Sequence, residues 1–243
     1  MTIYGKIHSI MLAHAKDKHI REMASSGGFV KSFLCYLVDN GYKAIITRMN
    51  GLKPETIITE DKGDILDVRT NSCYQEHDYI SAVSDLPKDK YVAVGLGCHV
   101  KYLREKYPDM FIIGLLCNHT PKYEYTEELI RRSGVKNPKQ ITYRGYGWPG
   151  FIDVDGTKLE YTKNWSEAYK PKKCMDCSHI CDEADIVCAD PWHLNEPNKT
   201  LIICRNFKST LTVFKVDNIW VDLIGLKTLE KSQGYHFKKK KKC

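Results

Sequence analysis

Apolar positions recur along this chain with two periods, and the change from one to the other lays out the elements. Alternation through KIHSIMLAHA, residues 6–15, predicts a first strand. In the segment 25–41, Phe29, Phe33, Leu34 and Leu37 fall at helical spacing, with Ser25 or Ser26 placed to cap that helix and Gly41 to stop it. Residues 42–49 and 55–60 pattern as paired strands. The buried strand YVAVGLG (91–97) then leads into the amphipathic helix HVKYLREKY (99–107), and MFIIGLL (110–116) leads into YEYTEELIRRSG (123–134). Strand–helix units in succession are the signature of a parallel sheet. From residue 140 the style changes. Segments 140–144, 184–190, 200–205 and 211–216, and a hairpin over 151–162 turning on Asp155 and Gly156, are short strands without long helices between them. The expected fold class is therefore α/β, a mixed sheet core with parallel strand–helix units in the first half and a more antiparallel second half.

Composition narrows the class without naming a chemistry. A chain of 243 residues, 42% hydrophobic and 28% charged, has the balance of a soluble globular protein with ample core. No apolar stretch approaches the roughly 20 residues of a membrane helix, so no membrane span is expected. The N-terminal MTIYGKIHSIMLAHAKDKH, interrupted by His, Lys and Asp, does not pattern as a signal peptide. Ten cysteines in such a chain point to a reducing, cytoplasmic setting, where thiols serve metals or redox chemistry rather than disulfides. The formal charge of +7 is modest, and much of it lies in the terminal KKKKKC, which is expected to be a solvated, disordered tail. With no aromatic interleaving and no nucleic-acid motif, no nucleic-acid partner is expected. Neither a nucleophile–base pair nor a Rossmann fingerprint nor a P-loop stands out, so hydrolytic chemistry is not indicated.

The cysteines carry the sharper signal. Cys174 and Cys177 form a C-x-x-C in the loop KKCMDCSHICDEAD, and Cys98 and Cys117 close two apolar runs. Adjacent strands of a parallel sheet end on one edge, so those two thiols can meet beside the loop pair and hold either zinc or an iron–sulfur cluster. Cys181 and Cys188 are close enough in sequence to serve as alternative ligands, whereas Cys35 and Cys204 fall at core positions. The SSGG at 25–28 leaves backbone N–H groups free for a phosphate or a ring, or simply caps a helix. The loop GYGWPG (145–150), preceded by Arg144 and containing Trp148, can hold backbone open around a bulky ligand.

Taken in order, ASSGGFV, NSCY, VGLGCHVKYLR, IIGLLC, YRGYGWPG, YTKNW, the C-x-x-C, ADIVCADPW and TLIICR resemble the coenzyme F420 hydrogenase/dehydrogenase beta-subunit family, from about Ile10 to Arg205. The resemblance implies an oxidoreductase carrying non-covalent FAD beside a [4Fe-4S] cluster. Such a protein exchanges electrons between a hydride carrier, coenzyme F420 or similar, and a one-electron partner: a ferredoxin-like protein, or hydrogenase or dehydrogenase subunits. Carried over by motif, Ser25, Ser26, Gly27 and Gly28 would approach the flavin, and Ser72 and Tyr74 would contribute to its pocket. Arg144 and Trp148 would shape the site with Asp190 and Trp192 nearby, while Cys98, Cys117, Cys174 and Cys177 would hold the cluster. The family-like domain would run over 1–205, with a C-terminal extension and basic tail over 206–243. The chain departs from the family at Gly97, where proline is usual, and at Ala189, where glycine is common. The readings that stand beside this one are a zinc- or cluster-binding scaffold without catalysis, and an electron-transfer subunit without flavin.

Overall fold

The computed structural model describes residues 3–165 and 167–241, and in it the two apolar periods become strands buried on both faces with helices packed above and below. In chain order the elements are β1 (Ser9–Ala15), α1 (Lys18–Met23), α2 (Phe29–Asp39), β2 (Lys43–Asn50), β3 (Lys53–Thr59), α3 (Lys62–Leu66), α4 (Tyr79–Ala82), β4 (Tyr91–Leu96), α5 (Gly97–Lys106), β5 (Phe111–Leu115) and α6 (Tyr123–Ser133). There follow β6 (Ile141–Thr142), β7 (Phe151–Val154), β8 (Thr157–Glu160), α7 (Tyr161–Asn164), α8 (Lys172–Met175), β9 (Ile186–Ala189), β10 (Thr200–Cys204), α9 (Phe207–Phe214), β11 (Ile219–Leu223) and α10 (Leu226–Lys241).

Among the described residues the large sheet has the order β11-β1-β10-β9-β5-β4-β2-β3. Its centre, β2, β4, β5 and β9, is parallel. Antiparallel strands flank that centre, β3 on one side and β10, β1 and β11 on the other. A second, antiparallel sheet joins β6, β7 and β8. The mixed α/β architecture is thus the expected one. The hairpin turns where expected, with positive φ at both Asp155 (45°) and Gly156 (88°), the backbone a tight two-residue turn requires.

Successive residues of each central strand serve opposite cores. Val92, Phe111, Ile113, Ile186 and Ile202 pack under α2 and α9, while Ala93, Ile112, Val187, Leu201 and Ile203 pack under α5 and α10. Phe33 of α2 lies fully buried between Phe29 and Phe111, at centroid distances of 5.3 and 5.8 Å. Removing such a side chain from water is worth about 3 kcal/mol. Cys35, Cys188 and Cys204 belong to the α2 core.

Three local expectations are corrected. Helix α2 begins at Phe29 rather than at the serines, with Gly28 in the left-handed region as its N-cap (φ 73°). The serine hydroxyls are engaged elsewhere: Ser26 Oγ donates to Lys199 O at 2.6 Å and Ser25 Oγ accepts from Ser72 N at 3.0 Å. Of the segment 211–216, expected as a strand, the first four residues form the second half of α9. There Asn206 Oδ1 accepts from Ser209 N at 2.8 Å and Ser209 Oγ accepts from Asn206 N at 3.4 Å, a capping box that outweighs the β-branched run. The lysine run is no disordered tail, because Lys238–Lys241 form the last turn of α10, where cations suit the helix dipole. Its final residues, Lys242 and Cys243, lie outside the described residues.

Asp185 gathers the layers where β9 begins. Its carboxylate accepts from Arg104 Nη2 of α5 at 2.9 Å, from Ile112 N of β5 at 2.9 Å and from Asn206 Nδ2 at 3.0 Å. Asp185→Ala is expected to lower stability by about 3 kcal/mol, as loss of charge-assisted bonds to partly buried donors predicts. Urea denaturation measures this, and a change within about 0.5 kcal/mol, typical of a neutral surface site, would contradict it.

Candidate functional site

Parallel strands leave a crevice beyond their carboxyl ends, and here the ends of β4, β5 and β9 open into a cavity of about 290 Å³. Its walls are largely apolar, with Leu34, Ile46, Ile65, Val94 and Leu115 among them. Its polar rim includes Ser25, Ser26, Gly28, Ser72, Tyr74 and Asp190.

One cation organises that rim. Arg144 lies just after β6 in the small sheet, is only 2% exposed, and spends its whole fork on named acceptors. Nη1 donates to Asp190 Oδ2 at 2.8 Å, Nη2 to Ser25 O at 2.6 Å, Nε to Pro149 O at 3.1 Å, and Nη1 also approaches the Tyr74 hydroxyl at 3.4 Å. The guanidinium also lies 5.0 Å from the centroid of the Tyr161 ring. Burial works against its charge, but the facing Asp190 carboxylate together with the Tyr74 and Tyr161 hydroxyls outweighs that and holds the Arg144 pKa above its ordinary value. A planar fork can satisfy acceptors from three segments at once where an ammonium cannot. Arg144 therefore ties the small sheet, the SSGG turn and the end of β9 together around the cavity.

Thiols occupy another part of the cavity wall. Cys98 and Cys174 line the cavity. The Cys98 side chain opens toward the surface yet is crowded; burial, then the charges of Cys177 and Cys174, push its thiol up. Burial pushes Cys117 up to about 12, with the charges of Cys98 and Cys174 adding to the rise. The charge of Cys181 is coupled to Cys117 and Cys98, whereas that of Cys188 is coupled to Cys204 and Cys181 on the core side. Two glycines at the strand ends admit the cysteine loop. A Cβ on Gly97 would stand 2.7 Å from His179 Cβ, and one on Gly114 would stand 2.6 Å from Cys181 Cβ. That close approach accounts for glycine at 97. Among the described residues no group of three His, Cys, Asp or Glu side chains is drawn together tightly enough for a single metal ion.

The structure brings together most of the residues singled out by sequence. Ser25, Ser26, Gly28, Ser72, Tyr74, Arg144, Asp190, Cys98 and Cys174 line one cavity. Cys117 and Cys177 stand behind its thiol edge, within charge range of Cys98. Gly27 turns away from the cavity: a Cβ there would meet the backbone of Asn198 and Lys199 at 2.8 Å. Trp148 and Trp192 pack edge to face at 5.2 Å and are not among its lining residues.

Several lining residues carried no sequence signal. Lys31, on the third position of α2, is 7% exposed and donates from Nζ to Leu66 O at 3.2 Å and Asp67 O at 2.6 Å. Burial pushes its pKa down to about 8, against the pull of Asp67. His99 follows Cys98, stacks on Tyr79 at 4.2 Å, and accepts at Nδ1 from Leu96 N at 3.3 Å. Lys173 bridges to Glu76 at 2.8 Å and joins the cysteine loop to the cavity wall. Adjacency to Cys98 could have flagged His99; a lone lysine in an apolar helix gives no such cue.

The chain matches two family models, those for the N-terminal and C-terminal parts of the coenzyme F420 hydrogenase/dehydrogenase beta subunit, over residues 10–78 and 88–216 respectively. No curated protein matches it. A chain of the F420-reducing [NiFe] hydrogenase complex from Methanosarcina barkeri, solved as a xenon derivative, is similar in structure, with a TM-score of 0.76 and 16% identity over 100% of this chain and 92% of that one. At that identity the likeness establishes the fold.

Arg144→Met, which leaves Asp190 without its partner, is expected to cost about 3–5 kcal/mol of stability, with Arg144→Lys recovering only part; denaturant melts showing either variant as stable as the parent would contradict the clamp. Lys31 makes a pH-dependent contribution of the opposite sense. Because its folded pKa is depressed from 10.5 to about 8, it costs the folded state about 3 kcal/mol below pH 8, and that cost fades as pH climbs toward 10.5. The stability of the parent relative to Lys31→Met should therefore rise between pH 8 and 10.5, and a flat difference in urea midpoints across that range would refute it.

Proposed function

The chain belongs to the coenzyme F420 hydrogenase/dehydrogenase beta-subunit family, a family of oxidoreductase subunits, and on that premise we propose that it holds FAD in the β4–β5–β9 cavity and a [4Fe-4S] cluster on Cys98, Cys117, Cys174 and Cys177. It would move electrons between a hydride carrier, coenzyme F420 or a relative, and a one-electron partner that is a ferredoxin-like protein or a hydrogenase or dehydrogenase subunit. The observation that carries this reading is that Cys98 and Cys174 line the same cavity as Ser25, Ser26, Gly28 and Arg144.

Both groups suit the residues present. The cavity volume of about 290 Å³ and its apolar walls suit a flat ring system. Four thiols feel one another's charge without closing on a single ion. When bound, the flavin supplies two-electron hydride chemistry and the cluster one-electron transfer, which together convert one form of reducing equivalent to the other.

The chain's own part is to bind, orient and exclude water. Leu34, Ile46, Ile65 and Val94 keep the cavity interior apolar. Arg144 is fully engaged with protein acceptors, so its contribution is to fix the positions of Ser25 and Asp190 rather than to move toward an occupant. The Lys31 ammonium, held by two carbonyls, gives the cavity a fixed positive charge that favours an electron-rich occupant. The nine described cysteines are all free, which accords with a cytoplasmic setting. Among the described residues no helix is long and apolar enough to cross a membrane.

Anaerobic purification followed by absorption spectroscopy, flavin release and iron analysis tests the proposal. Stoichiometric FAD with cluster iron is expected, and Cys174→Ser should lose the iron–sulfur absorbance while keeping its flavin. Protein that takes up zinc instead of iron, or that binds no flavin after reconstitution, would overturn it.

A further inference from the structure

The two edges of the large sheet are finished differently. At one end lies β3, which carries Lys53 and Pro54. Its Thr56 hydroxyl is hydrogen-bonded to His77 Nε2 at 3.1 Å, in the segment that leads into α4. A lysine, a proline and a covering segment are devices that keep an edge strand from pairing with another chain. At the other end lies β11, with the sequence IWVDL, which has neither lysine nor proline.

Register decides which of its backbone groups are free. Lys16 N donates to Asn218 O and Ile224 N to Ile10 O, both at 2.9 Å, so Asn218, Trp220, Asp222 and Ile224 turn their backbone groups toward β1. Those of Val221 and Leu223, with the carbonyl of Ile219, point away from the sheet. Among the described residues no strand pairs with them. Side chains alternate as well. Ile219 and Val221 pack into the α2 core, and Leu223 on the same side of the sheet is 61% exposed. Helix α9, which leads into β11, exposes Phe207, Leu211 and Phe214 in one row.

We propose that β11 is a dimerisation edge, pairing antiparallel with β11 of a second copy about a two-fold axis at Val221. Charge selects this occupant and this register. With Val221 opposite itself, Ile219 faces Leu223 and Trp220 faces Asp222 of the other copy. Asp222 is exposed and has no ion pair among the described residues. Lys199 Nζ, which bridges Glu196 at 2.7 Å, lies 4.6 Å from the centroid of the Trp220 ring, so the pairing brings the other copy's Asp222 toward that ammonium. Beyond the strand ends, Asp217 of one copy approaches the start of α10 of the other, where Lys227 stands. Both are exposed, and neither has an ion pair among the described residues. An axis moved to Asp222 would oppose two carboxylates, and one moved to Trp220 would bring two Lys199 ammoniums together. A strand of another protein would have to reproduce this alternation of charge, whereas a second copy has it by symmetry.

Sedimentation velocity of the full-length protein in reducing buffer, from about 1 to 100 µM, tests the inference; the parent should pass from monomer to dimer across that range. Val221→Pro removes an outward N–H from each strand and none bonded to β1, so it should weaken the dimer about thirtyfold without changing the circular dichroism of the monomer. Asp217→Lys should weaken association, and adding Lys227→Asp in the same chain should restore it, a rescue that pairing of β11 with itself requires. A parent that stays monomeric throughout overturns the inference and leaves the edge to a strand of another protein. A dimer that Val221→Pro leaves intact overturns it too, because its interface then lies elsewhere. Should Val221→Pro lose strand content, Leu223→Lys, at an exposed position, decides by the same measurement.

Discussion

A guanidinium taken out of water must have acceptors arranged for it beforehand, and the packing around Arg144 follows from that requirement. Its partners come from segments far apart in the chain: the Ser25 carbonyl, Pro149 in the glycine-rich loop, and the Asp190 carboxylate just past β9. Any movement of the small sheet relative to the large one would strand a charge in a medium that cannot hydrate it. The cavity between them keeps its shape because that displacement is so unfavourable. Gln233 extends the arrangement to α10 by binding the Asp190 carbonyl.

The thiol-bearing part of the wall obeys a steric constraint rather than an electrostatic one. Parallel pairing of β4 with β5 places Leu96 beside Leu115 and brings the chain to Cys98 and Cys117 on one edge. The loop bearing Cys174, Cys177 and Cys181 can reach that edge because Gly97 and Gly114 present no side chain to it. Burial, and then the charge of neighbouring thiols, makes Cys98 and Cys117 resist ionisation. Such a site gains from a cationic metal core that keeps its ligands deprotonated. Burial thus shapes both parts of the cavity wall, a cation held by its acceptors at Arg144 and thiols held protonated at Cys98 and Cys117.

Strands and strand-end cysteines were legible in the sequence because their signals are local. Period-two burial in β4 and β5, and the positive-φ pair Asp155–Gly156, need only a few neighbouring residues to be read. The misread places are those where distant partners decide. Ser26 looks like a helix cap, but its hydroxyl is taken by Lys199, 173 residues away. Residues 211–216 have strand-like side chains, yet the capping box at Asn206 and burial of Val213 make the first four of them helical. The lysine run has the composition of a solvated tail, and only the docking of Phe237 turns Lys240 inward. Lys31 stayed hidden for the same reason: its acceptors, Leu66 O and Asp67 O, lie 35 and 36 residues downstream.

In the proposed arrangement, sulfur atoms from two strand ends and one loop enclose an inorganic core next to the cavity shaped by Arg144. Anomalous diffraction at the iron edge from anaerobically grown crystals measures this directly. A single iron peak bounded by the sulfurs of Cys98, Cys117, Cys174 and Cys177 is the predicted result. Iron bound elsewhere, or a zinc signal in its place, would contradict it.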